Sequence, residues 1–141
     1  MEFLGIDHVD LRVPSLALVE PFYDALLPRL GLTRKGYANV AYAGAKWDDG
    51  TAENHNAVEF YEEVRGRPAR FIGIIEEADA QPARGRIAFA VAAGTLAEWE
   101  GILREVGAHD IEPNLEPEYP AIFFTDPGGT RLEVCARPPR P

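Results

Sequence analysis

Residues 6–13 (IDHVDLRV) alternate between polar and apolar with period two, which predicts a strand. Val9, Leu11 and Val13 fall on one face and His8, Asp10 and Arg12 on the other. Pro14-Ser15 ends the pattern. Leu18, Phe22, Leu26 and Leu30 then recur at helical spacing, and Gly31 is placed to close that helix. Pro21 lies inside the helical stretch and predicts a kink or a late start, because proline lacks the amide donor a helix interior uses. Residues 36–42 read as extended, Trp47-Asp48-Asp49-Gly50 as a turn, and 58–64 fit strand and helix equally. RFIGII, from Arg70 to Ile75, is an apolar strand, followed by a linker from Ala78 to Gly85.

The order then restarts. Ile87, Phe89 and Val91 share one face of a second alternating strand that begins at Arg86. Thr95 and Glu98 have capping-box spacing before a helix with Trp99, Ile102, Leu103 and Val106 on its apolar stripe, closed by Gly107. His109-Asp110 reads as a turn, and Pro113, Pro117 and Pro120 mark a loop. Two extended segments, Ala121–Thr125 and Arg131–Ala136, flank the hairpin turn Asp126-Pro127-Gly128-Gly129. The two halves thus repeat one plan, as module 1–80 and module 84–137 of a single domain. The first half is longer, with an insertion expected between Gly44 and Pro68.

Composition narrows the class. With 141 residues the chain is long enough for a core without staples, and its single cysteine, Cys135, excludes an internal disulfide or a multi-cysteine zinc site. A net charge of −9 argues against nucleic acid and anionic membrane as partners. A hydrophobic content of 46% argues against disorder. The start, Met1-Glu2-Phe3, carries no secretory pattern, and no apolar run is long enough to span a bilayer, so a cytoplasmic location is expected.

Three segments carry a family likeness: Gly5-Ile6-Asp7-His8-Val9 leading to Phe22-Tyr23, Arg86-Ile87-Ala88-Phe89, and FFTDPGGTRLEV from Phe123 to Val134. Together they resemble the vicinal oxygen chelate superfamily, which includes glyoxalase I, bleomycin-resistance proteins and extradiol dioxygenases. The resemblance implies an α+β fold of two βαβββ modules forming a shared open sheet cavity. It also implies four positions for a divalent metal, on the first and last strands of each module. These fall on His8, Ile72, Arg86 and Glu133, Ile72 by matching Arg70-Phe71-Ile72 to Arg131-Leu132-Glu133. Of these, only His8 and Glu133 have side chains able to ligate a metal, and a guanidinium has no lone pair to offer a cation.

His8 is therefore read as lining a cavity, or as a metal ligand with Glu133. Arg86 either ties to Glu133 as an ion pair or presents its guanidinium to an anionic ligand. Asp10 and Arg12 share the parity of His8, and Tyr42, Trp47, Tyr61 and Phe124 are candidate aromatic walls. His55 reads as a solvated loop residue and Cys135 as buried and inert.

The function expected is a glyoxalase- or bleomycin-resistance-like domain that binds a small organic molecule with a degenerate metal site. The alternative is a divalent-metal-dependent lyase or dioxygenase, with Glu133 moving the proton. A third reading is a structural or regulatory domain whose cavity is filled by its own side chains. The insertion serves as a lid in the first two, or as a homodimer contact in any of them.

Overall fold

The computed structural model describes residues 2–41, 46–82 and 84–139. Among the described residues, nine strands and two helices follow in order: β1 His8–Val13, α1 Leu16–Leu26, β2 Arg34–Ala41, β3 Lys46–Asp49, β4 Ala57–Tyr61, β5 Phe71–Glu76, β6 Ile87–Ala90, α2 Leu96–Glu105, β7 His109–Asn114, β8 Ala121–Thr125 and β9 Arg131–Cys135. They form a five-stranded sheet, β1-β5-β4-β2-β3, and a four-stranded sheet, β6-β9-β8-β7. In each, the first strand of the repeat lies parallel to the last, β1 beside β5 and β6 beside β9, while the other pairs are antiparallel. The expected α+β architecture is present, with an added strand, β3, in the first half.

Two compact units divide the chain: Met1–Glu20 with Leu27–Gln81, and Pro21–Leu26 with Pro82–Pro141. In the first, Val13, Leu16, Val19, Val58, Phe60 and Ile74 are almost fully shielded. In the second, Phe22, Tyr23, Leu26, Leu103, Ile122, Phe124, Leu132 and Val134 are. Each such large apolar side chain contributes roughly 1.5–3 kcal/mol by leaving water.

Several local expectations change. Pro21 sits inside α1, which starts at Leu16; Pro21 and Ala17 are both exposed, so the carbonyl freed by the missing amide meets solvent. A short 3-10 turn, Leu27–Leu30, follows, and Gly31 and Gly107 close their helices with φ of +89° and +85°. Thr95 makes no side-chain cap bond; its hydroxyl donates instead to the Ala92 carbonyl at 2.7 Å. In the ambiguous stretch 58–64, the strand runs only to Tyr61, and 62–64 are irregular. Two segments expected as turns are strands: Trp47-Asp48-Asp49 belongs to β3 and His109-Asp110 to β7. Both are sheet edges, and β3 and most of β7 are exposed, so neither shows the alternation that marks a half-buried strand. Pro113 is accommodated in β7 for the same reason.

Candidate functional site

In the second unit, register places Ala88, Glu133 and Phe123 side by side on adjacent strands, so the three share a face. Leu132 and Phe124 pair on the opposite face, against the core. Phe124, a candidate aromatic wall, is 1% exposed and packs in the core; the aromatic ring on the Glu133 face is Phe123. The two rings part because side chains alternate along a strand.

Glu133 is fully buried. Its Oε1 accepts a 2.5 Å hydrogen bond from the Tyr119 hydroxyl, and its Oε2 lies 2.7 Å from Nε of Arg86. That second contact is an ion pair without a directed N–H: Oε2 has a compensating charge but no hydrogen-bond donor aligned on it. The Arg86 guanidinium lies over the Phe123 ring at 4.6 Å from its centroid, and 45% of the Arg86 side chain faces solvent. Tyr119 is held protonated above its ordinary range, chiefly because its hydroxyl donates to the carboxylate. Cys135 follows on the same face; burial, then the Glu133 charge, pushes its thiol up, away from reactivity. Tyr119 escaped the sequence reading because it sits in the proline-marked segment before β8, where no periodicity points to a face.

In the first unit, His8, Asp10 and Arg12 share a face of β1 with Phe71, Gly73 and Ile75 of β5. His8 stacks flat on Phe71, with centroids 4.5 Å apart and planes 7° apart. Its Nδ1 lies 2.8 Å from Asp7 Oδ2 and its Nε2 3.9 Å from Asp10 Oδ2. Beside Asp10 and Gly73 stands Glu59, which accepts a 2.8 Å hydrogen bond from Tyr61. Burial and then that bond push the Tyr61 phenol up to about 12. The Arg34 guanidinium covers the Tyr61 ring at 4.4 Å. Arg12 lies 3.8 Å from Glu77 and lines a cleft of about 750 Å³ with Val40, Asn56, Ile75 and Asp79. Trp47 pairs with Val40 on the neighbouring strand and is 38% exposed; Tyr42 lies outside the described residues.

The registers also place the last strands. His8 pairs with Phe71, Val9 with Ile72 and Asp10 with Gly73 in the first unit, and Ala88 pairs with Glu133 in the second. Ile72 thus shares a face with Val9 and not with His8. Ile72 is a core residue on the other face. Among the described residues, no three His, Cys, Asp or Glu side chains gather as a metal site would require.

His55 is not a solvated loop residue. Its side chain is 13% exposed, with Nε2 3.0 Å from Glu20 and Nδ1 2.9 Å from the Thr51 carbonyl. Glu20 also receives Lys35 at 2.6 Å. Burial raises the Glu20 carboxyl, but the hydrogen bonds from Lys35 and His55 outweigh it and hold the group below its ordinary value.

A helix-bearing plan repeated in two halves, each with parallel first and last strands, is the fold the sequence resemblance implied, and solved structures share it. Among solved structures, the chain is similar to the fosfomycin resistance protein FosX from Mesorhizobium loti, at 16% identity and a TM-score of 0.59 over 97% of this chain and 95% of that one. It is similar also to FosX from Listeria monocytogenes in complex with Mn(II) and sulfate, at 17% identity and 0.60 over 97% and 95%. An integron cassette protein from the mobile metagenome of Halifax Harbour sewage outfall matches at 18% and 0.60 over 95% and 99%. No protein-family model and no curated protein matches the chain. Among the described residues, no helix is long and apolar enough to cross a membrane.

Proposed function

We propose that the chain is a glyoxalase- or bleomycin-resistance-like domain that binds a small organic molecule, with Glu133 tied by an arginine where relatives of this fold would use a metal. The observation that carries this reading is the 2.7 Å approach of Arg86 Nε to the fully buried Glu133 carboxylate. A divalent metal is the cofactor the fold family implies, and the residues at Glu133 do not fit one. One carboxylate oxygen is taken by Tyr119, the other is covered by a guanidinium, and a fixed positive charge at that distance repels a cation. His8 is engaged with Asp7 and stacked on Phe71, an arrangement of a wall residue. In the first unit, Arg12 lines a cleft of its own beside the apolar floor of Val40 and Ile75.

Elemental analysis of protein purified without chelator tests the reading. The expected metal content is far below stoichiometric, with a Tm unmoved by EDTA. Stoichiometric Mn, Fe, Ni or Zn, with a Tm that falls on chelation, overturns it in favour of the metal-dependent lyase or dioxygenase. The Mn(II) in the Listeria FosX structure favours that second reading. Arg86→His is expected to raise Mn(II) affinity by calorimetry, because it replaces a repelling charge with a ligand.

A further inference from the structure

In a chain of net charge −9, three arginines gather on or beside the Glu133 face of the second unit. Arg86, Arg131 and Arg137 stand on or beside this face, with Glu133, Glu112 in the row of Phe123, and Asp110, which accepts a 2.9 Å hydrogen bond from Thr125, as its acids. Arg131 pairs with Thr125 at the turn end of β9 and is exposed; Arg137 follows the strand, with its guanidinium 6.0 Å from the Tyr119 ring centroid. Ala88 and Ala90 are small and exposed, so no bulky β6 side chain crowds the approach.

Arg86 is built differently from a loose surface arginine. Tyr119 donates to Glu133, Glu133 pairs with Arg86 at Nε, and the guanidinium lies over the Phe123 ring. Nearly half of the side chain still meets solvent. The planar N–H donors of an arginine match a carboxylate or phosphoryl oxygen pair. Preorganising the side chain removes much of the ordering cost of binding.

We infer that Arg86, on its Phe123–Glu133–Tyr119 support, is the receptor for a small organic oxyanion, a carboxylate or phosphoryl group on an apolar or aromatic body. This rests on the small-molecule reading above and specifies the chemistry of the ligand. The probes are benzoate, phenyl phosphate and the neutral isostere benzamide, titrated by calorimetry into the metal-free full chain. Benzoate or phenyl phosphate binding, with benzamide at least roughly tenfold weaker, supports the inference and distinguishes a carboxylate from a phosphoryl preference. Arg86→Lys is expected to weaken the preferred anion about tenfold, since a point charge replaces the fork. The double variant Arg86→Met/Glu133→Gln, which leaves no uncompensated charge, is expected to abolish anion binding while retaining the native circular dichroism spectrum. Benzamide binding as tightly as benzoate, unchanged anion affinity in the folded double variant, or no binding of either anion overturns the inference. The first two outcomes leave small-molecule binding standing, and the metal analysis tests that reading separately.

Discussion

The Tyr23 hydroxyl donates a 2.7 Å hydrogen bond to Oδ2 of Asp126 across 103 residues of chain, and both groups are shielded from water. Asp126 is the first residue of the DPGG turn; its Oδ1 also accepts the amides of Gly128 and Thr130. The turn is thereby organised around one carboxylate and anchored to α1. Tyr23→Phe leaves Oδ2 buried without its donor and is expected to cost about 1–3 kcal/mol, read as a lower urea midpoint. Burial, then the Asp126 charge, raises the Tyr23 phenol far above its ordinary 10.0. The unfolded chain releases that proton near its ordinary value while the folded chain keeps it. Stability therefore falls as pH rises above 10, and Tyr23→Phe is expected to shallow that fall.

Arg86 and Glu133 are expected to be energetically coupled. Arg86→Met alone strands a buried carboxylate and destabilises by about 1–3 kcal/mol, allowing for the half-exposed arginine. Adding Glu133→Gln restores most of the loss, because Tyr119 can still donate to an amide oxygen. A double-mutant cycle in denaturant measures the coupling; additive single effects would show that the ion pair does not tie the two strands.

Glu20 holds Lys35 and His55 against α1. Its carboxyl sits below the ordinary 4.5, so the stability it supplies is present above that value and disappears as pH falls through its lowered pKa. Glu20→Gln is expected to lose roughly 1 kcal/mol at neutral pH, with a smaller difference from the parent in acid. Urea titrations at both pH values check this.

A Cβ at Gly73 would collide with the Asp10 carboxylate. Gly73→Ala is expected to push Asp10 out of its place, and Asp10→Ala to relieve the strain, so the pair of substitutions costs less than the sum of the two. Thermal unfolding of the four proteins measures the difference.

The α+β plan was legible because burial on one side imprints a period on the sequence: Val9-Leu11-Val13 and Ile87-Phe89 announce strands, and Ile102-Leu103-Val106 a helix. Where burial is absent the imprint is too, and the edges β3 and β7 passed for turns. The polar face was legible only to parity. His8 and Asp10 share a face of β1 as the alternation predicts, while Phe124 and Ile72 pack in the core. Tyr119, Glu59 and the Glu20–His55 contact arise from tertiary approach between distant segments, and no local pattern encodes them.

The two edge strands that hid from periodicity have a consequence for how the protein behaves in concentrated solution. Lys46, Asp48 and Asp49 line one outer edge, and Asp110, Glu112 and Pro113 the other. A second chain that tried to extend either sheet there would have to dehydrate charge or meet a proline with no amide to offer. At those two borders, the molecule guards against templated aggregation through residues that contribute little to its own core.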